Sequence, residues 1–555
     1  MLQPDDCSSL SNEHRPTTRR RRGSSRRKAG ESHGTGEAAR TCRPRPYHAA
    51  DHVTGTGRPA RRPRGELCGA AADLARAALA ALPAGEAADA VRAVLDRLAE
   101  DRLRIAVGGR MNAGKSTLVN ALLGRRLAAT AATECTMLVA WFRQGVQNRV
   151  EVRRLDGRRY FVPGHPGGGI PRDPRRLGSP RQEIAELVVE VADSALLAHR
   201  YSLVDTPGMD TLSGLDEVAL SALARADALL YVMPHPGAGD AEALQSLRRQ
   251  AHERMTALNV LGVLSRIDEL GSGTGDPWPR AERVAATYTS RLTGMVSRIV
   301  PVAGLLAQTA TGDQFTEGDT ALLQRLAGEP RQELERALYS PDEFLGRRGG
   351  PLDTAERTRL LDLLGTYGIR VAVDSLTEAD GARDARSLLN ALRAASGVET
   401  LFEEIDVRFV AASDRLRAAS ALGLLEEVAA TVLRGNPDSG VRGALEAQRT
   451  AVAGLRRHPL MRQTELASAL AELATGGLRL SEADGAALVA LATGGDAAAC
   501  LGVHPDATAT ELAASSRAEA VRWRVVEASA PRAVQRHART ARELCEEFYF
   551  RARGD

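Results

Sequence analysis

Eight residues restrict this fold more than any others: Gly109-Arg110-Met111-Asn112-Ala113-Gly114-Lys115-Ser116. They match G-x-x-x-x-G-K-[ST]. The match lies between a short apolar strand signal, Arg104–Val107, and an amphipathic helix signal, Thr117–Leu123. Glycines let the backbone turn tightly enough for successive N–H groups to face one point. At a helix N-terminus the peptide dipoles favour negative charge there. The pattern predicts a phosphate cradle made by Gly109, Asn112, Ala113, Gly114 and Thr117. In it Lys115 bridges β- and γ-phosphates, and the Ser116 hydroxyl binds Mg²⁺. Composition sharpens the point. Of 74 Lys+Arg residues only Lys28 and Lys115 are lysine. Lys28 lies in a basic N-terminal stretch, so Lys115 stands alone after residue 65. Lysine is a compact point charge and arginine a broad planar fork. A position that keeps lysine against such a bias is one that cannot take the fork.

The net charge of +4 hides an asymmetry. Residues 1–65 hold 15 basic and 6 acidic residues, a local +9, which leaves −5 for the other 490. The first 65 residues have no apolar periodicity and read as a disordered basic tail. The remainder is mildly acidic and a poor nucleic-acid-binding globule. Hydrophobic residues make up 43% of the chain, enough for a sizeable core. No apolar run approaches the roughly 18 residues of a membrane span, and no secretory signal is visible. The six cysteines form no CxxC pair and no zinc spacing with histidine. A reduced, cytoplasmic compartment is therefore expected.

Two short helices are predicted over 69–82 and 86–99. From residue 101 to about 310, strand and helix signals alternate, the mark of an α/β fold with a mostly parallel sheet and helices on both faces. After Arg104–Val107 the strand signals are Leu138–Phe142, Arg149–Arg153, Arg158–Val162, Glu186–Val191, Tyr201–Val204, Ala228–Met233, Val260–Leu264 and Ile299–Val302. Asp156-Gly157 signals a hairpin, and Pro163–Pro180, dense in Gly, Pro and Arg, an exposed loop. Beyond 311 long helical patterns take over. Phe402, Ile405, Phe409, Ala412, Leu416 and Ala419 repeat at 3 and 4, as on one stripe of a long helix. A turn at Gly435–Gly440 follows, then further helices to Tyr549, an extended bundle.

Leu203-Val204-Asp205-Thr206-Pro207-Gly208 follows a strand. Asp205 can hold Mg²⁺, and the Gly208 N–H can meet the γ-phosphate. Thr133 and Thr136 are candidates for a threonine closing over Mg²⁺ and phosphate. Thr136 is preferred, because it lies just before the strand at 138–142. Guanine is usually read by Asn/Thr-Lys-x-Asp after a strand. Here Ser265-Arg266-Ile267-Asp268 stands in that place. The Asp268 carboxylate can accept from guanine N–H groups, and the Arg266 stem can cover the base. Ala303, in Val302-Ala303-Gly304, is placed to offer a backbone N–H to the guanine oxygen.

Together these segments resemble the bacterial dynamin-like GTPases, in particular the isoniazid-inducible branch of actinobacteria. The resemblance rests on Gly109–Thr117, Thr133-Glu134-Cys135-Thr136, Asp205–Gly208, Leu264–Asp268 and Pro301–Ala307, and more loosely on Leu501–Leu512 and Arg522–Glu527. It covers roughly residues 66–555. It implies a GTPase domain over 101–310, N-terminal helices 66–100 joining a neck, and a helical neck and stalk over 311–555. It also implies slow GTP hydrolysis with Mg²⁺, with Lys115, Thr136 and Gly208 as catalytic groups and Ser116, Thr136 and Asp205 as metal ligands. GTP-driven association of heads or of a paralogous partner would follow, with peripheral contact to lipid at the inner face of the cell membrane. Met111 stands where eukaryotic dynamins carry a catalytic Gln and bacterial members often an apolar residue, and Met209 follows Asp-Thr-Pro-Gly, so neither place offers the water-orienting Gln that small GTPases use. They keep open a weakly hydrolysing scaffold subunit, while a soluble RNA-associated GTPase is a further alternative. For lipid contact two turns are candidates: Gly435–Gly440, and the preferred His458–Arg462, where Leu460 and Met461 sit among arginines.

Overall fold

A computed structural model describes residues 65–100, 102–128, 138–164, 169–171, 173–192, 201–206, 222–223, 225–250, 255–270, 276–378, 381–474 and 478–554. Nine strands form one sheet: β1 (Leu103–Gly109), β2 (Ala140–Gln144), β3 (Arg149–Arg154), β4 (Arg159–Pro163), β5 (Ile184–Val191), β6 (Tyr201–Asp205), β7 (Ala228–Met233), β8 (Val260–Leu264) and β9 (Ile299–Pro301). All nine match strand signals in the sequence. Their order is β4-β3-β5-β2-β6-β1-β7-β8-β9. The run from β6 to β9 is parallel, with β1 paired to β6 and β7. β2 turns antiparallel to β6, and β3 is antiparallel to both β5 and β4. A strand buried on both faces must be apolar throughout, as in Ala228–Met233. There Leu229, Tyr231 and Met233 face one core and Leu230 and Val232 the other.

As far as residue 395 the helices are, in chain order, α1 (Glu66–Ala81), α2 (Glu86–Ala99), α3 (Lys115–Leu123), α4 (Ala238–Gln250), α5 (Trp278–Arg291), α6 (Gly304–Thr311), α7 (Glu317–Ala327), α8 (Arg331–Ala337), α9 (Pro341–Gly346), α10 (Thr354–Thr377) and α11 (Ala385–Ala395). The head's core does not stop near residue 310. Leu323, Leu360, Leu363, Leu388 and Leu392 are buried in the same cluster as Leu229 and Tyr231. Strand–helix alternation ends near 310. A 3.6-residue period, however, says only that a helix has an apolar face, not what that face covers.

The stripe from Phe402 to Ala419 is not one helix. α12 (Val398–Ile405) runs into a π-turn at Asp406–Val410, where the Ala411 N–H reaches the Asp406 carbonyl, and α13 (Ser413–Arg434) follows. The break coincides with a change of partner. Ile405, Phe409 and Leu416 enter the head's core, whereas Ala421, Leu422 and Leu425 pack with α1 and α2.

Four charged side chains tie α1 and α2 to α13 and to the sheet. Asp414 accepts from the first-turn N–H groups of Leu67 (3.0 Å) and Cys68 (2.9 Å). Gly65 beside it has φ 105, and a Cβ there would sit 2.1 Å from the Asp414 carboxylate, so no larger residue fits. Buried Arg417 donates to the Leu98 carbonyl at 2.7 Å and to that of Glu100, so it satisfies the C-terminus of α2. Arg97 pairs with Asp227 at the foot of β7, and Asp227 also accepts from the Arg104 N–H at 2.8 Å. Arg417→Ala strands the buried Leu98 carbonyl and removes the partner of the Glu100 carbonyl. The expected cost is about 2–4 kcal/mol, seen as a lower urea midpoint, with Arg417→Lys intermediate. An unchanged midpoint would show that the contact adds nothing.

The remaining helices are α14 (Ser439–Arg456), α15 (Pro459–Ala474), α16 (Glu482–Thr493), α17 (Ala497–Leu501), α18 (Ala509–Ser529) and α19 (Arg532–Arg553). The turn at 435–440 is where the sequence places it. The bundle, however, has two cores. One joins α1, α2, α13 and α14 and includes Met461; the other is built on Leu466, Leu470, Leu491, Trp523 and Leu544. Met461 is 2% exposed, and Arg462 pairs with Glu543 at 3.2 Å. Met461 of the His458–Arg462 turn is therefore packed at a joint between two cores and not presented to lipid, while Leu460 beside it stays 42% exposed. Cys68, Cys500 and Cys545 are free and buried. Among the described residues no helix is long and apolar enough to cross a membrane.

Candidate functional site

The loop between β1 and α3 folds as its glycines require. Gly109 has φ 144, and a Cβ there would lie 2.2 Å from the Val232 carbonyl oxygen. Asn112 takes φ 57, a conformation its short polar side chain tolerates, and Gly114 caps α3 with φ 91. Buried Lys115 heads α3 and donates from Nζ to the Arg110 carbonyl at 2.9 Å, so the ammonium lies within the loop.

Ser116 Oγ donates to Asp205 Oδ2 at 2.9 Å, bringing the two sequence-derived metal ligands together. Thr206 beside them donates to the Val107 carbonyl at 2.8 Å and ties the end of β6 to β1. Asp205 Oδ1 is buried and has no hydrogen-bond partner among the described residues. Burial pushes the Asp205 carboxyl up to about 6, against the Ser116 hydrogen bond and the Lys115 charge. An orphaned buried carboxylate oxygen beside a serine hydroxyl is a hard, oxygen-only donor set, and it fits Mg²⁺. Thr133, Thr136, Gly208 and Met209 lie outside the described residues.

A second pocket of about 270 Å³ opens beside the loop, with Gly114 and Thr117 on one wall and Ser265, Arg266, Asp268, Gly304 and Leu305 around the rest. Ser265 Oγ donates to the Ala113 carbonyl at 2.7 Å, and Arg266, at φ 52, donates to the Asn112 carbonyl at 2.6 Å. The Ser-Arg pair thus clamps the phosphate loop from behind. Glu269 holds Arg266 at 2.8 Å. Asp268 is exposed at the pocket mouth, yet the protein packed around it pushes its carboxyl up. Partners that donate hydrogen bonds would relieve that.

Ala303 is not where the sequence reading puts it. It is buried, and its N–H donates to the Ser396 carbonyl at 2.9 Å, so that donor is spent on the head's own helices. Gly304 and Leu305, the first residues of α6, line the pocket instead. First-turn N–H groups of a helix have no intrahelical partner.

The dynamin-family domain pattern matches residues 105–267, which spans the phosphate loop, Asp205 and the Ser265-Arg266 clamp. The chain carries a dynamin-family domain. The chain is 39% identical over 337 residues to isoniazid-induced protein IniC of Mycobacterium tuberculosis, covering 59% of this chain. The chain spans 66% of that relative's length, just under two thirds. It is 25% identical over 145 residues to a bacterial dynamin-like protein of Nostoc punctiforme, 23% of this chain and 20% of that one. A solved structure described as an oligomerised bacterial dynamin pair aligns over 88% of this chain and 74% of its own, at 12% identity and TM-score 0.32. The resemblance to the isoniazid-inducible branch is borne out.

Two residues at this pocket escape a sequence reading. Glu269 could have been found from its carboxylate three positions after Arg266. The role of Gly304 depends on where α6 starts, and no residue type at 302–304 announces that.

Proposed function

We propose that this dynamin-family protein binds GTP with Mg²⁺, hydrolyses it slowly, and couples the cycle to association of its heads, or of a paralogous partner, at the cytoplasmic face of the membrane. The observation that carries the reading is Asp205. Its unpartnered buried oxygen lies beside Ser116, one loop away from a pocket ending in a second carboxylate, Asp268. The first carboxylate suits a metal and the second suits a base.

In this reading the loop N–H groups and Lys115 hold the β- and γ-phosphates, and α3 directs its positive end at them. Asp205 and Ser116 hold the metal, which neutralises phosphate charge when bound. Thr136 closes over the γ-phosphate, and the Gly208 N–H orients toward it. Asp268 accepts from guanine N–H groups, and the N-terminus of α6 meets the guanine oxygen. Water attacks the γ-phosphorus in line, the bond from that phosphorus to the β–γ bridging oxygen breaks with its electron pair going to the departing GDP, and the proton of the water passes to the phosphate formed. Catalysis is positioning and charge neutralisation.

Met111 favours a second reading, a nucleotide-binding subunit that does not turn over. It stands 46% exposed at the phosphate loop, and its thioether is at most a weak acceptor where a Gln amide would orient a water. Metal removal tests the binding half of the proposal. With EDTA present, affinity for a fluorescent GTP analogue is expected to fall on the order of tenfold or more. Equal affinity with and without the metal would dismiss Asp205 and Ser116 as its ligands.

A further inference from the structure

The open edge of the sheet carries a surface that the nucleotide site does not use. β4 is the outermost strand, joined to β3 by the turn at Asp156-Gly157. Large apolar side chains stand exposed here: Leu155 before the turn at 63%, Phe161 on β4 at 52%, and Val146 at the other end of β3 at 94%. Arginines surround them. Residues 143–190 hold ten arginines against six carboxylates, a net +4 in a chain whose residues 66–555 sum to −5. Arg158 and Arg159 flank the turn, both exposed. Proteins usually guard an edge strand with charge, but they do not also expose leucine and phenylalanine on it.

We infer that the β3–β4 hairpin is a membrane-contact surface, in which Leu155 and Phe161 enter the interface of an anionic bilayer while the arginines around them meet lipid phosphate. This deepens the reading of a membrane-associated GTPase and rests on it. Clusters of four to eight basic residues suit an anionic leaflet, and amphipathic arginine keeps its head at phosphate level while its stem lies along apolar neighbours. A single-stranded nucleic acid is the other anionic polymer such a patch could meet, and the geometry disfavours it. Bases stack on open aromatic faces. The Arg149 guanidinium already lies 4.0 Å from the Phe161 ring centroid, held there by Glu190 at 2.6 Å. Leu155 and Val146 give a base nothing to stack on. They do give hydrocarbon a partner. The surface lies on the head, apart from the helical turns, and it would bring the nucleotide domain itself to the bilayer.

The test is co-sedimentation of the full chain with vesicles of phosphatidylglycerol mixed equally with phosphatidylcholine, and with phosphatidylcholine alone. Wild type is expected to pellet with the anionic vesicles. Leu155→Asp with Phe161→Asp should weaken this on the order of tenfold, and Arg158→Glu with Arg159→Glu likewise, with GTP affinity unchanged in both. The arginine pair is fully on the surface and keeps the test valid if the apolar pair misfolds. If wild type pellets and both variants pellet equally well, the hairpin assignment is overturned while the membrane reading stands. If wild type does not pellet, both fall. If the variants lose binding to a single-stranded RNA oligonucleotide and keep the vesicles, the patch is a nucleic-acid surface and the inference is wrong.

Discussion

Lys115→Ala is expected to abolish nucleotide binding and to leave the protein folded. The ammonium sits buried in its loop, 2.9 Å from the Arg110 carbonyl, at the head of α3. Charge-assisted hydrogen bonds contribute about 1.5–3 kcal/mol each, so losing two of them to phosphate costs on the order of 100-fold or more in affinity. Alanine suits the first turn of a helix, so α3 persists. Titration with a fluorescent GTP analogue reads the loss, and thermal unfolding followed by circular dichroism shows the fold retained. Arg, the residue this chain uses almost everywhere else, is expected to fail as well, because its fork is broader than the ammonium it replaces. Wild-type affinity in either variant would remove the phosphate loop from the account.

Asp268→Asn is expected to weaken GTP by about 1.5–3 kcal/mol, roughly tenfold to a hundredfold. The carboxylate presents acceptors only, which match guanine's ring N–H and exocyclic amine. The amide puts a donor against a donor. Adenine lacks the matching pair of N–H groups, so ATP is already weak in the wild type and changes little in the variant. Competition binding of GTP against ATP gives both numbers. Equal wild-type affinities would reduce Ser265–Asp268 to a loop.

Most of the head was legible because its strands are short apolar runs bounded by turn residues. A strand such as Val260–Leu264, buried on both faces, has little choice of sequence. The phosphate loop was legible for a related reason: Gly109 and Gly114 occupy backbone conformations that other residues adopt at a cost. What was not legible depends on partners distant in the chain. The Ala303 N–H is claimed by Ser396, 93 positions on, and no local pattern records that. Met461 reads as an exposed apolar residue between arginines. It is buried because α15 crosses from one helical core to the next at that point. The stripe from Phe402 to Ala419 kept its period across a π-turn, since Asp406–Val410 contains neither Gly nor Pro to mark the break. Ser265 stands where Asn or Thr is usual and has a shorter reach than Asn. It is long enough because the Ala113 carbonyl comes within 2.7 Å of it.

The central claim is turnover, and phosphate release tests it most directly. The wild-type chain is incubated with GTP or ATP, with Mg²⁺ or EDTA, beside Lys115→Ala at the same concentration. The account predicts slow release from GTP with Mg²⁺ and none above the Lys115→Ala background from ATP or with EDTA. Release from GTP no faster than that background would contradict it and leave a nucleotide-binding subunit in its place.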